Sequence, residues 1–239
     1  MRGLCVLVVA AAAVACGRPG IEVEFYATAG HRFTASERRA VERVARRTAI
    51  EVRRLLPALA SDLVLRVEAG TRVIPETGET GSAGGTNVVS WTVNPADNRG
   101  VRAIVNTQLR ATLFHEFHHL VRQSTIAPTE GLVDAMITEG LATAFERDFA
   151  DANPPWGAYP DDVSGWVNEV LALPPGAPTR QWMFQHPDGR RWIGYKVGTY
   201  LADRAILASG RSAAELVSTP AEDILRLALT ASQQQEIRR

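Results

Sequence analysis

The sequence predicts an α+β fold: a small mixed or antiparallel sheet near the N-terminus, followed by a mostly helical region. Segments with the two-residue alternation of strands all fall before Val93, whereas from Val101 onward the apolar residues recur at helical spacing. Strands gathered first and helices after favour α+β over a doubly wound sheet. No internal repeat and no low-complexity linker divides the chain.

The elements follow in order. Ile21 to Ala27 alternates like a strand after a short Gly-Arg-Pro-Gly linker. Ser36 to Leu56 is a long Arg- and Glu-rich helix, with Val41, Val44, Ala45, Thr48, Val52 and Leu55 as its apolar stripe and a solvated charged face. Leu63 to Glu68 is a second strand. Thr77 to Thr86, rich in Gly, Thr and Ser, reads as a mobile loop, and Asn87 to Val93 as the sheet's edge strand. A helix then runs from about Val101 to Gln123. Another runs from Thr129, its expected N-cap, to about Phe149. After the breaker Asn153-Pro154-Pro155-Trp156-Gly157 come a short helix over Asp161 to Leu173, a turn at Pro187-Asp188-Gly189, and a helix from Trp192 to Ser209. Thr219-Pro220-Ala221-Glu222 looks like the cap of a last one.

The N-terminus reads as an export signal. Met1 to Ala15 holds one Arg and then an uncharged apolar run, too short for a permanent membrane span and fitting a signal peptide. Ala13-Val14-Ala15-Cys16 resembles a bacterial lipobox, so the expected mature chain begins at an acylated Cys16 and is held at the cell envelope by lipid. Ordinary cleavage after Ala15, leaving a secreted or periplasmic soluble protein, is the alternative. Cys5 would be removed and Cys16 modified, which leaves no disulfide and no thiolate metal site. Lys+Arg and Asp+Glu stand at 26 each, so no strong field argues for nucleic acid or an acidic membrane surface. The expected organisation is a signal peptide over 1–15, a linker over 16–20 and one domain over 21–239, acting as a monomer.

His115-Glu116-Phe117-His118-His119 is the stretch that carries chemistry. Residues four apart share a helix face, so His115 and His119 can hold one metal ion between their imidazoles. Glu116 lies about 100° round from His115, within reach of a water on that metal. Leu113, Phe114, Phe117, Leu120 and Val121 give the segment an apolar flank, hence a half-buried helix on which a His and a Glu need partners. A catalytic zinc usually takes three protein ligands. Candidates for the third are Glu130, Asp134, Glu139, Glu146 and His186. Glu139 sits among apolar residues, where an ionised carboxylate is costly without a cation, and Gly140 beside it lets another helix approach closely. Gly194, Gly198 and Ala202 form a small-residue stripe with the same consequence, and the metal helix is a candidate neighbour there. Tyr195 flanks that stripe and could point its hydroxyl at a developing oxyanion. His186 could do the same work.

His-Glu-Phe-His-His, then Glu139-Gly140-Leu141-Ala142, then Trp192-Ile193-Gly194-Tyr195-Lys196-Val197-Gly198 resemble the bacterial predicted zinc-dependent proteases catalogued as a domain of unknown function. That family is itself similar to the gluzincins, H-E-x-x-H peptidases whose third ligand is a downstream Glu. The resemblance covers roughly residues 100 to 205. It implies a zincin-like fold, one zinc per chain, His115, His119 and Glu139 as ligands, Glu116 as general base, and a peptide or protein substrate. Many gluzincins carry Asp four residues after the ligand Glu. That position here is Thr143, so the group orienting the first histidine is unassigned. The expected function is a zinc metallopeptidase of the cell envelope. A zinc amidase or esterase acting on an envelope component, or a zinc-stabilised scaffold without turnover, are the other classes.

Overall fold

A computed structural model describes residues 20–26, 31–127 and 130–237 of the chain, with side chains described as far as Thr230. The expected signal peptide, Cys16 and the expected N-cap Thr129 lie outside the described residues. The architecture is α+β: among the described residues, a four-stranded mixed sheet near the N-terminus and eight helices.

Strand β1 (Gly20–Tyr26) runs parallel to β2 (Asp62–Ala69), and helix α1 (Ala35–Leu55) makes the crossover between them. Thr34 and Glu37 form a reciprocal capping box at the start of α1, which fixes where the helix begins. Ala40, Val41, Ala45, Thr48, Ala49 and Val52 are its buried stripe. Strands β3 (Glu79–Gly84) and β4 (Val88–Val93) form an antiparallel hairpin, and β4 also pairs parallel with β2, giving the order β1-β2-β4-β3. Alternate residues of β2 and β4 (Leu63, Leu65, Val67, Val89, Trp91 and Val93) are buried, so one face of the sheet meets the core.

Two expectations about the sheet are corrected. The segment expected as a mobile loop over Thr77 to Thr86 contains strand β3, and the segment expected as the edge strand, Asn87 to Val93, contains the inner strand β4. The Gly, Ala and Glu that make up most of β3 have weak strand preference, but pairing to β4 overrides it here. A Cβ on Gly81 would lie 2.6 Å from Thr112 Cγ2 and 2.8 Å from Glu116 Oε1. The strand is made of small residues because a helix lies almost in van der Waals contact with it.

The expected single helix over Val101 to Gln123 is two helices, α2 (Val101–Thr107) and α3 (Leu109–Thr125). Gln108 between them still donates its amide to Ile104 O at 2.8 Å and accepts from Thr112 N at 3.1 Å, so the interruption is a bend and not a gap. Helix α4 (Leu132–Ala150) starts after Gly131, whose φ of 119° suits only glycine. Then come α5 (Val163–Leu171), a short α6 (Thr179–Met183) that no periodicity announced, α7 (Ile193–Ser209) and α8 (Ala221–Ile237).

Three packings position the site. Helix α3 lies against β3 and β4 on one side and α4 on the other. Arg122 near its end, 4 % exposed, donates to Thr138 Oγ1 of α4 at 3.1 Å and to the carbonyls of Val217 and Thr219 at 3.0 and 2.8 Å. Helices α4 and α7 meet backbone to backbone. A Cβ on Gly140 would sit 2.1 Å from the Gly198 carbonyl, and one on Gly198 would sit 1.9 Å from Met136 O. The small-residue stripe of α7 thus has a partner, and the partner is α4 rather than the helix bearing His115.

Candidate metal centre

The centre is built from the face of α3 that turns towards β3 and α4. Thr112, His115, Glu116, His119 and Gln123 recur at the three- and four-residue spacing of one helix face and line a cleft of about 440 Å³. Glu79 to Ala83 of β3 form one wall. Thr138, Glu139 and Glu146 of α4 form the other, with Tyr195, Trp156, Trp192 and Phe184 above them.

Within this cleft His115, His119 and Glu139 converge, their nearest donor atoms all within 4.8 Å of one another. His115 Nε2 lies 2.9 Å from His119 Nε2 and 3.0 Å from Glu139 Oε2, and His119 Nε2 lies 3.3 Å from the same oxygen. Burial works against a charge on His115, but the carboxylates of Glu146 and Glu139 outweigh it and hold the ring's pKa well above the usual imidazole value. Burial likewise opposes ionisation of Glu139, and the His119 and His115 imidazoles beside it reverse that, placing it below the ordinary carboxylate range. The three groups complement one another electrically as they stand.

The donor set fits a zinc ion. Two imidazole nitrogens and one carboxylate oxygen are the ligands of a common catalytic zinc site, which leaves a position free. The surroundings fit as well: four carboxylates (Glu79, Glu116, Glu139 and Glu146) line the cleft, and no Lys or Arg is among its lining residues. Such a concentration of buried acid is costly without a cation.

Glu116 is 6 % exposed, against β3 at Gly81. Burial raises its pKa, and the positive field of His115 and His119 offsets this only in part. Tyr195 also faces the cleft. Burial, then the nearby Glu139 and Glu116 carboxylates, push its hydroxyl well above the usual phenol value, so it stays protonated. His118, between the two cleft histidines in sequence, points the opposite way. It is fully buried against Phe145, with Nε2 3.4 Å from Ala213 O, and burial keeps it neutral.

Of the other candidates, Glu146 lies behind His115, its Oε1 3.3 Å from Nδ1, on the ring's far side from Glu139. Asp134 occupies the first turn of α4, and neither it nor Glu130 belongs to the cluster. His186 pairs with Asp188 at 2.9 Å and does not line the cleft. Three cleft residues were not among the site candidates read from the sequence. Glu79 lay in a segment expected to be a loop. Trp156 fell in the breaker segment Asn153-Pro154-Pro155-Trp156-Gly157, which carries no periodicity. Trp192 adopts a left-handed backbone (φ 56°) at the start of α7, uncommon outside glycine, and its ring stands edge-on to that of Trp156 at 6.1 Å.

An α+β chain with a His/His/Glu cluster in a cleft, next to a buried glutamate, belongs to the class of candidate zinc hydrolases. The sequence profile of the predicted Zn-dependent proteases (DUF2268) matches residues 33–226, and the chain belongs to that family. The match reaches beyond the three motifs on both sides and takes in α1 and strands β2 to β4. No curated protein and no solved structure matches the chain.

Proposed function

We propose that this protein is a zinc-dependent metallopeptidase in which His115, His119 and Glu139 hold one zinc ion and Glu116 is the general base. The observation that carries the reading is the convergence of those three donors in a cleft that also holds the Glu116 carboxylate. A zinc ion with an open position supplies Lewis acidity towards a carbonyl oxygen and lowers the pKa of water. Glu116 accepts the proton of the attacking water on a carboxylate oxygen and returns it to the leaving amine. The protonated Tyr195 hydroxyl donates to the carbonyl oxygen as it becomes negative. A peptide suits the cleft because its wall is β3, an edge strand whose backbone beyond Glu79 pairs with no second strand among the described residues and can align an extended chain.

Glu116→Gln keeps the shape of the side chain but accepts no proton. Zinc content should stay near one per chain while cleavage of a fluorogenic peptide library falls by at least ~100-fold. His119→Ala and Glu139→Ala should lose the metal. Comparable turnover by the Gln variant would remove Glu116 from the mechanism.

We also propose that the mature chain acts at the cell envelope, held there by lipid on Cys16. The wild-type protein should then partition into detergent and the Cys16→Ser variant should not. Equal partitioning of the two would leave ordinary secretion.

A further inference from the structure

Glu146 lies seven residues beyond Glu139, two turns on along the same face of α4, and is 2 % exposed. Its Oε1 faces two ring nitrogens from different elements: His115 Nδ1 of α3 at 3.3 Å, and Trp156 Nε1, which donates to it from the segment after α4, at 3.0 Å. The opposite nitrogen of the same imidazole, Nε2, faces His119 and Glu139. Thr143, at the position where the wider gluzincin pattern has Asp, does not reach His115. Its Oγ1 is buried without a partner, and its methyl lies 2.7 Å from where a Cβ on Gly157 would be.

We propose that Glu146 is the positioning residue of His115, and that Trp156 holds Glu146 in register for it. The inference rests on the reading of His115 as a metal ligand. An imidazole offers a lone pair at one nitrogen only if the other carries the proton. A carboxylate accepting from Nδ1–H fixes the proton there, fixes the ring's rotation, and makes Nε2 more basic towards a cation. The indole N–H of Trp156 is a second donor to the same Glu146 oxygen, and it fixes the carboxylate's rotamer towards His115. Trp156 is also a cleft residue, half-buried beside Trp192. One indole therefore links the substrate side of the cleft to the orientation of the histidine behind it.

Metal affinity and the state of the His115 ring test this without turnover. Zinc dissociation constants come from chelator competition. The ring N–H comes from proton–nitrogen spectra of ¹⁵N-histidine-labelled protein, with and without zinc, assigned by its loss in His115→Gln. Glu146→Leu should weaken zinc binding by about 10- to 100-fold, the usual cost of losing such a partner, and should expose the Nδ1–H to rapid solvent exchange. Glu146→Gln retains an oxygen that can accept both N–H groups, so it should stay within several-fold of wild type and keep the proton protected. Trp156→Phe should fall between the two. Wild-type affinity with a protected N–H in Glu146→Leu would overturn the positioning role, and unchanged exchange in Trp156→Phe would overturn the indole's part in it. Should the Leu variant not fold, the Gln and Phe variants decide: both indistinguishable from wild type in affinity and exchange would overturn the pairing. A wild-type chain that binds no zinc would refute the metal reading itself, while the exchange data still decide whether Glu146 holds the ring. Intact zinc affinity without peptide cleavage would refute only the peptidase reading.

Discussion

Glu79 shows how far a single residue can depart from what its neighbours in sequence suggest. Between Thr77 and Gly81 it reads as part of a polar loop, yet it is 2 % exposed, with Trp91 Nε1 and Thr112 Oγ1 donating to its Oε2 at 2.6 and 3.0 Å. Burial pushes its pKa up to about 7, against the pull of those two hydrogen bonds. An unfolded chain releases this proton near pH 4.5, whereas the folded chain keeps it until near 7. The associated stability is therefore fully present below 4.5 and is lost as pH rises through 7. At 1.36 kcal/mol per unit the loss comes to about 3 kcal/mol. In metal-free protein, urea unfolding at pH 4.5 and pH 8 should show the wild type losing roughly that much relative to Glu79→Gln. A constant difference between the two proteins would mean that Glu79 ionises like an exposed carboxylate. The same residue-scale logic separates the histidines of the motif. The four-residue spacing marked His115 and His119 as sharing a face, but the fully buried position of His118 against Phe145 is a tertiary fact.

At the scale of elements, what was legible depended on whether the signal was local. Helix α1 carried its own stripe. Helices α3, α4 and α7 were recognisable from periodicity and small residues, and the contact of Gly140 with Gly198 is the close approach that those glycines implied. The partner of that stripe was not local information, and it proved to be α4. Strand β3 was hidden for a related reason: Gly81 is required by Glu116 and Thr112 on another element, so the strand is poor in the β-branched and aromatic residues that mark strands. The break at Gln108 and the five-residue α6 were too short to leave a pattern. For the site itself, two donors were legible from spacing within one helix, and the third rested on family resemblance. Which carboxylate faces Nε2 of His115 and which faces Nδ1 depends on how α4 crosses α3 and on the rotation of one ring. Glu139 and Glu146 share a face of α4, so sequence offered both and could not assign either side of the imidazole.

Across the whole molecule, the cleft gathers residues from Ile74 to Tyr195, and its donors meet only where α3 packs on α4. A cation that needs all three donors binds the folded state and has little hold on the unfolded one, so its binding free energy adds to stability. At a thousandfold excess over its dissociation constant the gain is about 4 kcal/mol, a large part of the roughly 5–15 kcal/mol that keeps a domain folded. For a chain of this size about 2–4 °C of melting temperature accompanies each kcal/mol, so zinc should raise the midpoint by roughly 8–16 °C and a chelator should remove the rise. The variants locate the effect. Glu139→Ala deletes a donor and should melt at one temperature with or without zinc. Glu116→Gln leaves the three donors in place and should keep most of the zinc-induced shift, although it is expected to be inactive. An equal shift in Glu139→Ala would put the stabilising metal elsewhere on the protein and break the link between this cleft and the ion.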